Sequence, residues 1–184
     1  MSRLEEKTIR SEKLFSGKVI SLYLEDVELP NGKEAKREII KHPGAVAILA
    51  ITDENKIVMV EQFRKALDRT IVEIPAGKLE KGEEPAACAR RELEEETGYE
   101  CGSLELLNSF YTSPGFSDEI VHVYIARGLV KKENSAPLDE DEFIDLEELT
   151  LEEAIRYIKD QKIFDAKTVF AVQYMQLQEV LAKK

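Results

Sequence analysis

The chain has 184 residues, 43% of them hydrophobic and 34% charged, and a formal net charge of -11. That length suits one domain or one domain with a small appendage, and the composition suits a soluble globular fold with a real core. The excess of acid excludes broad nucleic-acid binding, which needs a basic stripe to displace counterions, yet it is compatible with a nucleotide bridged through a metal ion.

The N-terminal "MSRLEEKTIRSEKLFSGK" is charged throughout and lacks an apolar signal core. "GKVISLYLEDVELPNGKEAKREIIKH" holds two alternating apolar/polar runs around Pro30-Asn31-Gly32-Lys33, which predicts a hairpin. "GAVAILAIT" and "KIVMVEQFR" flank Asp53-Glu54-Asn55 and predict a second hairpin. The first of these strands is apolar on both faces and should be central in its sheet. Its run from Ala45 to Ile51 is the longest apolar stretch and is far too short to cross a bilayer, so no membrane partner is expected.

"RTIVEIPAGKLE" continues as strand then loop. A helix follows, with Pro85 in its first turn, Glu83-Glu84 by its N-terminal dipole and Gly98 as its C-terminal cap. "LELLNSFYTSPGFSDEIVHVYIARGL" reads as strand, loop, strand, and "KKENSAPLDEDEF" as a polar loop. Near the C-terminus, Thr150 and Glu153 form a capping box before an apolar stripe of Leu151, Ala154, Ile155 and Ile158. A last helix, "DAKTVFAVQYMQLQEVLAKK", carries Val169, Val172, Met175 and Leu177 on or near one stripe. Strands, one helix, more strands and two helices do not alternate as a doubly wound sheet would. The order predicts α/β of the mixed-sheet or α+β kind, with the sheet between helices. Two cysteines, Cys88 and Cys101, are too few for a disulfide scaffold, which predicts reduced thiols and a cytoplasmic setting.

The chemistry concentrates in "GKLEKGEEPAACARRELEEETGYE", residues 77–100. Glu92, Glu95 and Glu96 stand at i, i+3 and i+4 and share one helix face, where like charges repel by about 0.2–0.5 kcal/mol per pair. Ala86, Ala89 and Leu93 form an adjacent stripe that can pack on a sheet. Glutamate clusters on helices are commonly solvated faces. Here the convergence beside a buried surface would raise the carboxyl pKa values unless cations relieve it, and Mg²⁺ or Mn²⁺ prefer such oxygen donors. Arg91 can pair with one carboxylate, and a bend at Gly77 brings the Ala76 carbonyl near.

The fixed positions are Gly77, five residues, Glu83, seven residues, Arg91-Glu92-Leu93, one residue, Glu95-Glu96, one residue, Gly98 and Tyr99. This pattern resembles the Nudix box at every fixed position, and the chain is similar to the Nudix hydrolases. The resemblance implies an α/β/α sandwich with a mixed sheet, and hydrolysis of a nucleoside diphosphate linked to another moiety. It implies Mg²⁺, with Mn²⁺ as a possible substitute, held by Glu92, Glu95, Glu96 and the Ala76 carbonyl. Arg91 would orient a carboxylate, and Glu83 would support the site indirectly.

Pro114 in "SPGFSDE", "VEQFR" (60–64), "EIPAG" (73–77), "REII" (37–40) and "FDAKTVFAVQYMQL" look like the ADP-ribose pyrophosphatase subfamily. That likeness implies a cytoplasmic enzyme cleaving ADP-ribose to AMP and ribose 5-phosphate. Arg37 and Arg64 become substrate contacts through phosphate pairing or adenine stacking. The likeness also implies that Glu73 and Glu119 lie near ribose or adenine and that Ser113 hydrogen-bonds the ligand. It implies a general base in "PLDEDEFIDL", with Glu140 the first choice and Glu142 the second, and a share of the catalytic work for Glu95. His42, His122 and Cys88 read as structural. The subfamily further implies residues 1–43 as a small antiparallel β segment, exchanged between the subunits of a homodimer, and residues 44–184 as the Nudix domain. The same chemistry on another nucleotide sugar such as GDP-mannose, and a non-catalytic nucleotide-binding Nudix fold, are the alternatives.

Overall fold

The computed structural model describes residues 3–132 and 143–183. They hold ten strands and three helices, and the chain divides into two units, each with its own internal packing.

The first unit comprises residues 1–44 and 110–120. Its sheet is an antiparallel meander of β1 (Lys7–Ser16), β2 (Ser21–Glu28) and β3 (Glu34–Lys41), in that order. The Pro30–Lys33 turn joins β2 to β3 as the sequence predicts, with the Gly32 N–H donating to Leu29 O at 2.8 Å and the Leu29 N–H to Lys33 O at 2.7 Å. Strand β1 is not anticipated by the apolar pattern. Its register on β2 slips between Thr8 and Arg10 and again between Lys13 and Phe15. Each slip inserts a residue that breaks the two-residue alternation by which a strand is read. Residues 110–120 join this unit through the Ile40 N–H, which donates to Phe116 O at 2.7 Å, and the His42 N–H, which donates to Asp118 Oδ1 at 2.8 Å.

The second unit comprises residues 45–109 and 121–184. One sheet runs β7 (Ala76–Lys78), β4 (Ala45–Ala50), β9 (Ile120–Lys131), β8 (Tyr99–Tyr111). Strand β4 is internal, parallel to β9 and antiparallel to β7, and its residues from Val46 to Ala50 are fully buried. A second sheet runs β10 (Ile144–Leu149), β5 (Ile57–Arg64), β6 (Arg69–Glu73), antiparallel throughout.

The predicted hairpin between β4 and β5 is therefore corrected. The turn exists: the Thr52 N–H donates to Lys56 O at 2.9 Å, Asn55 adopts a left-handed φ of 57°, and Ile51 bridges Ile57. Beyond that bridge the two strands enter different sheets. Strand β4 throughout and β5 over residues 57–60 are apolar on both faces, each takes two strand neighbours of its own, and a local turn signal cannot reveal this.

Helix α1 (Pro85–Thr97) packs on β4 and β7, burying Cys88, Ala89 and Leu93 among Val46, Ile48, Ala50 and Val58. Helix α2 (Leu151–Lys159) opens on the expected Thr150–Glu153 capping box. Helix α3 (Ala166–Ala182) opens on Asp165, whose carboxylate accepts from the Thr168 N–H at 3.1 Å. The Thr168 hydroxyl accepts from the Ile74 N–H at 3.1 Å, which ties α3 to the chain just after β6. The buried stripe of α3 is Thr168, Ala171 and Val172, and Leu177 is half exposed. Leu177 lies two residues past Met175, roughly 200° further round the helix, and so leaves the buried face.

Candidate active site

The site forms where β7 meets α1. Pairing of Val46 with Gly77 holds β7 against the sheet edge. Pro85 stands in the first turn of α1, and Gly98 ends the helix in the left-handed region at φ 72°, its N–H donating to Glu94 O at 2.8 Å. Glu84 precedes α1 in an extended conformation, and its side chain makes no cap hydrogen bond.

Helical spacing then brings the acidic side chains to one guanidinium. Arg91 Nε and Nη2 donate to the two oxygens of Glu83 at 3.0 and 3.1 Å. Arg91 Nη1 donates to Glu92 Oε1 and to Glu95 Oε2, both at 2.8 Å. Glu83 also accepts from the Glu80 N–H at 3.0 Å. Glu92 and Glu96 are only 8% and 7% exposed. Glu96 Oε2 accepts from the Ala76 N–H at 2.9 Å, so the backbone at the start of β7 is fixed directly to α1. Gly77 permits this approach, because a Cβ there would fall inside the Glu92 carboxylate.

The Arg91 hydrogen bonds, with help from the Glu80 N–H, hold the Glu83 carboxyl down at about 2. The Arg91 guanidinium is shifted upward, chiefly by Glu83. A depressed carboxyl pKa contributes stability above its unfolded value near 4.3 and loses it as pH falls toward the folded value. The wild-type unfolding midpoint should therefore drop more steeply than that of Glu83→Gln between about pH 4.5 and 2.5. Thermal melts across that range test it, and superimposable acid limbs would remove Glu83 from the clamp.

The residues fit a divalent cation by donor chemistry. Glu83, Glu92, Glu95 and Glu96 are four carboxylates against one guanidinium, all donors are hard oxygens, and two of them are buried. Among the described residues no group of three or more Asp, Glu, His or Cys side chains is already arranged to hold a metal ion. Glu83, Glu92 and Glu95 converge on Arg91, which serves as their internal counter-cation.

Arg64, at the end of β5, donates from Nε to Glu73 Oε1 at 2.5 Å and from Nη2 to Oε2 at 3.0 Å. Glu73 is 2% exposed and also accepts from Lys167 Nζ. Burial alone would raise the Glu73 carboxyl, but the Arg64 hydrogen bonds and the Lys167 charge outweigh it and hold it below the ordinary range. Lys167 and Asp165 were missed by the sequence reading. The signal was present in "FDAKTV", where an aspartate stands at a helix N-cap two residues before a lysine.

In the first unit, Arg37 makes a fork onto Glu6, with Nε to Oε2 at 2.9 Å and Nη2 to Oε1 at 2.6 Å. Ser113 sits in a turn, its carbonyl accepting from the Phe116 and Ser117 N–H groups at 3.1 and 2.9 Å. Glu119 accepts from the Thr112 hydroxyl at 2.5 Å and lies 3.8 Å from His42 Nε2. Glu140 and Glu142 lie outside the described residues. Cys88 is buried, and burial is the main cause pushing its thiol up to about 12, which makes it a poor nucleophile.

Comparison with known families agrees with this geometry. The NUDIX domain matches residues 41–172, and the nucleoside diphosphate sugar hydrolase N-terminal domain matches residues 6–40. The chain belongs to the Nudix hydrolase family. It is 68% identical to a methanol dehydrogenase activator of Bacillus methanolicus over 180 residues, 98% of this chain and 97% of that protein. It is 64% identical to an ADP-ribose pyrophosphatase of Bacillus subtilis over 181 residues, 98% of each. Its fold matches the crystal structure of an ADP compounds hydrolase with a TM-score of 0.84 at 20% identity, covering 100% of this chain and 97% of that one.

Proposed function

We propose that the chain hydrolyses the pyrophosphate bond of ADP-ribose to give AMP and ribose 5-phosphate. The observation that carries the substrate is the near full-length relation, at 64% identity, to an ADP-ribose pyrophosphatase. The Arg91-braced carboxylate face beside Gly77 supports the reaction class.

Glu92, Glu95, Glu96 and the Ala76 carbonyl are the groups that would hold Mg²⁺, or Mn²⁺ in its place. A bound divalent cation supplies neutralisation of the diphosphate charge and a lowered pKa for water. Arg91 limits the rotamers of Glu92 and Glu95 by holding one oxygen of each. Arg64 offers a planar guanidinium to a phosphate oxygen. Arg37 pairs with a phosphate oxygen or stacks on the adenine, Ser113 hydrogen-bonds the ligand and Glu119 lies near the ribose or adenine. Glu73, with both oxygens engaged by Arg64 and Lys167, acts near the same end through Arg64. Glu140, or Glu142 in its stead, takes the proton of the attacking water.

The same reading includes a cytoplasmic homodimer with exchanged N-terminal strands, residues 1–43 forming the exchanged segment and 44–184 the catalytic domain. Strand β1 supports it: it is exposed along its whole length and carries Ile9, Leu14 and Phe15, each about half exposed. No helix among the described residues is long and apolar enough to cross a membrane.

The test is AMP release from a panel of ADP-ribose, other ADP-sugars and GDP-mannose, with Mg²⁺ and Mn²⁺ compared. ADP-ribose should give the highest kcat/KM, and metal-dependent turnover of a different nucleotide sugar in preference would overturn the substrate. A second reading rests on the 68% identical methanol dehydrogenase activator: this chain stimulates an alcohol dehydrogenase. Adding the chain to a purified methanol dehydrogenase separates the two, since stimulation that persists in a hydrolysis-dead variant favours the second.

A further inference from the structure

Four charged side chains outside the carboxylate face form a chain of contacts in the second unit. Arg64 uses its Nε and Nη2 edge on Glu73. Glu73 is almost fully buried and shares its Oε2 between Arg64 and Lys167. Lys167, its side chain 15% exposed, also donates from Nζ to Asp165 Oδ1 at 2.8 Å. Asp165 Oδ1 accepts in addition from the Thr168 N–H, and Asp165 Oδ2 is buried with no hydrogen-bond partner among the described residues. Arg64 Nη1 donates to nothing among the described residues, and the Arg64 side chain is 39% exposed.

The polarity of this chain is informative. Asp165 is fixed by the first turn of α3, where it caps the helix. Lys167 pairs with both carboxylates, the buried Glu73 and the partly buried Asp165, and Arg64 supplies the second positive charge. Glu73 is thereby held in one rotamer and holds one edge of Arg64. Nη1 is left without a hydrogen bond among the described residues, on a side chain 39% exposed, and a guanidinium fork of this kind suits phosphate oxygens.

We propose that Lys167, anchored by Asp165, is a positioning residue: it fixes Glu73 so that Arg64 presents its open Nη1 to a diphosphate. The inference rests on the proposed action on a nucleoside diphosphate for its setting, but not on ADP-ribose as the particular substrate. Lys167 touches no reacting atom. Its contribution is the orientation of a guanidinium two contacts away, and misplacement of a binding group by about 1 Å can weaken its action by up to about a hundredfold.

Two readouts test it on the full chain: steady-state kinetics on ADP-ribose, and calorimetric binding of inorganic pyrophosphate without metal. Lys167→Met should raise KM and weaken pyrophosphate binding about tenfold, with kcat within about twofold, and Lys167→Arg should restore both. In an Arg64→Ala background Lys167→Met should add no further loss. Asp165→Asn, which leaves Lys167 on Glu73, should weaken pyrophosphate binding about threefold and stands in if Lys167→Met does not fold. Unchanged binding in the Lys167 or Asp165 variants, additive losses with Arg64→Ala, or no pyrophosphate binding by wild type would overturn the inference. If wild type leaves ADP-ribose intact while the pyrophosphate results hold, the substrate reading fails and the positioning role stands.

Discussion

Glu96→Gln should lower kcat by about a hundred- to a thousandfold at saturating Mg²⁺ while the protein stays folded. The glutamate is 7% exposed on α1, and its Oε2 accepts the Ala76 N–H. An amide of the same shape retains an oxygen acceptor for that N–H, so the tie between α1 and β7 survives. What disappears is one negative charge from a face whose proposed task is to hold a divalent cation. The thermal midpoint should move by only about 2 °C, the scale of a change of about 0.5–1 kcal/mol in a chain of this size. Turnover at the wild-type level under saturating metal would remove Glu96 from the ligand set.

Gly77→Ala should separate activity from stability in a second way. The added methyl would fall inside the Glu92 carboxylate. The obstacle is the far end of a flexible side chain, so Glu92 can swing aside for an off-rotamer cost of about 0.5–1.5 kcal/mol. That displacement takes Glu92 Oε1 from Arg91 Nη1, with which it is bonded at 2.8 Å. Turnover should fall about a hundredfold, because the chemistry depends on placement of this carboxylate within about an ångström. Melting curves and kcat measured on the same preparation check this; a loss of stability equal to the loss of activity would make Gly77 a folding residue instead.

The site was more legible in the sequence than the sheets were. Gly77, Glu83, Arg91 and the glutamates from Glu92 to Glu96 carry their meaning in spacing, and helical geometry turns that spacing directly into proximity. Their hub was only half visible: Arg91 was expected to orient one carboxylate, and it engages Glu83, Glu92 and Glu95. The Lys167–Glu73 contact joins residues 94 apart, beyond any local pattern. Strand β1 was hidden by its two register slips, and the partners of β4 and β5 by the apolar character both strands share. Periodicity reports which faces are buried; it does not say against which strand.

The turn from Thr52 to Lys56 has a consequence for how the chain acquires its structure. It closes locally, but the strands it joins are completed by segments far downstream: β4 by β9 and β5 by β10, which ends at Leu149. During synthesis the apolar runs at 45–50 and 57–60 therefore emerge long before their outer neighbours exist. Such non-local pairing slows folding and leaves hydrophobic edges open to other chains. The first half of the second unit is bound to wait for the second, and a nascent chain stalled before residue 120 would be an aggregation hazard rather than a half-built enzyme.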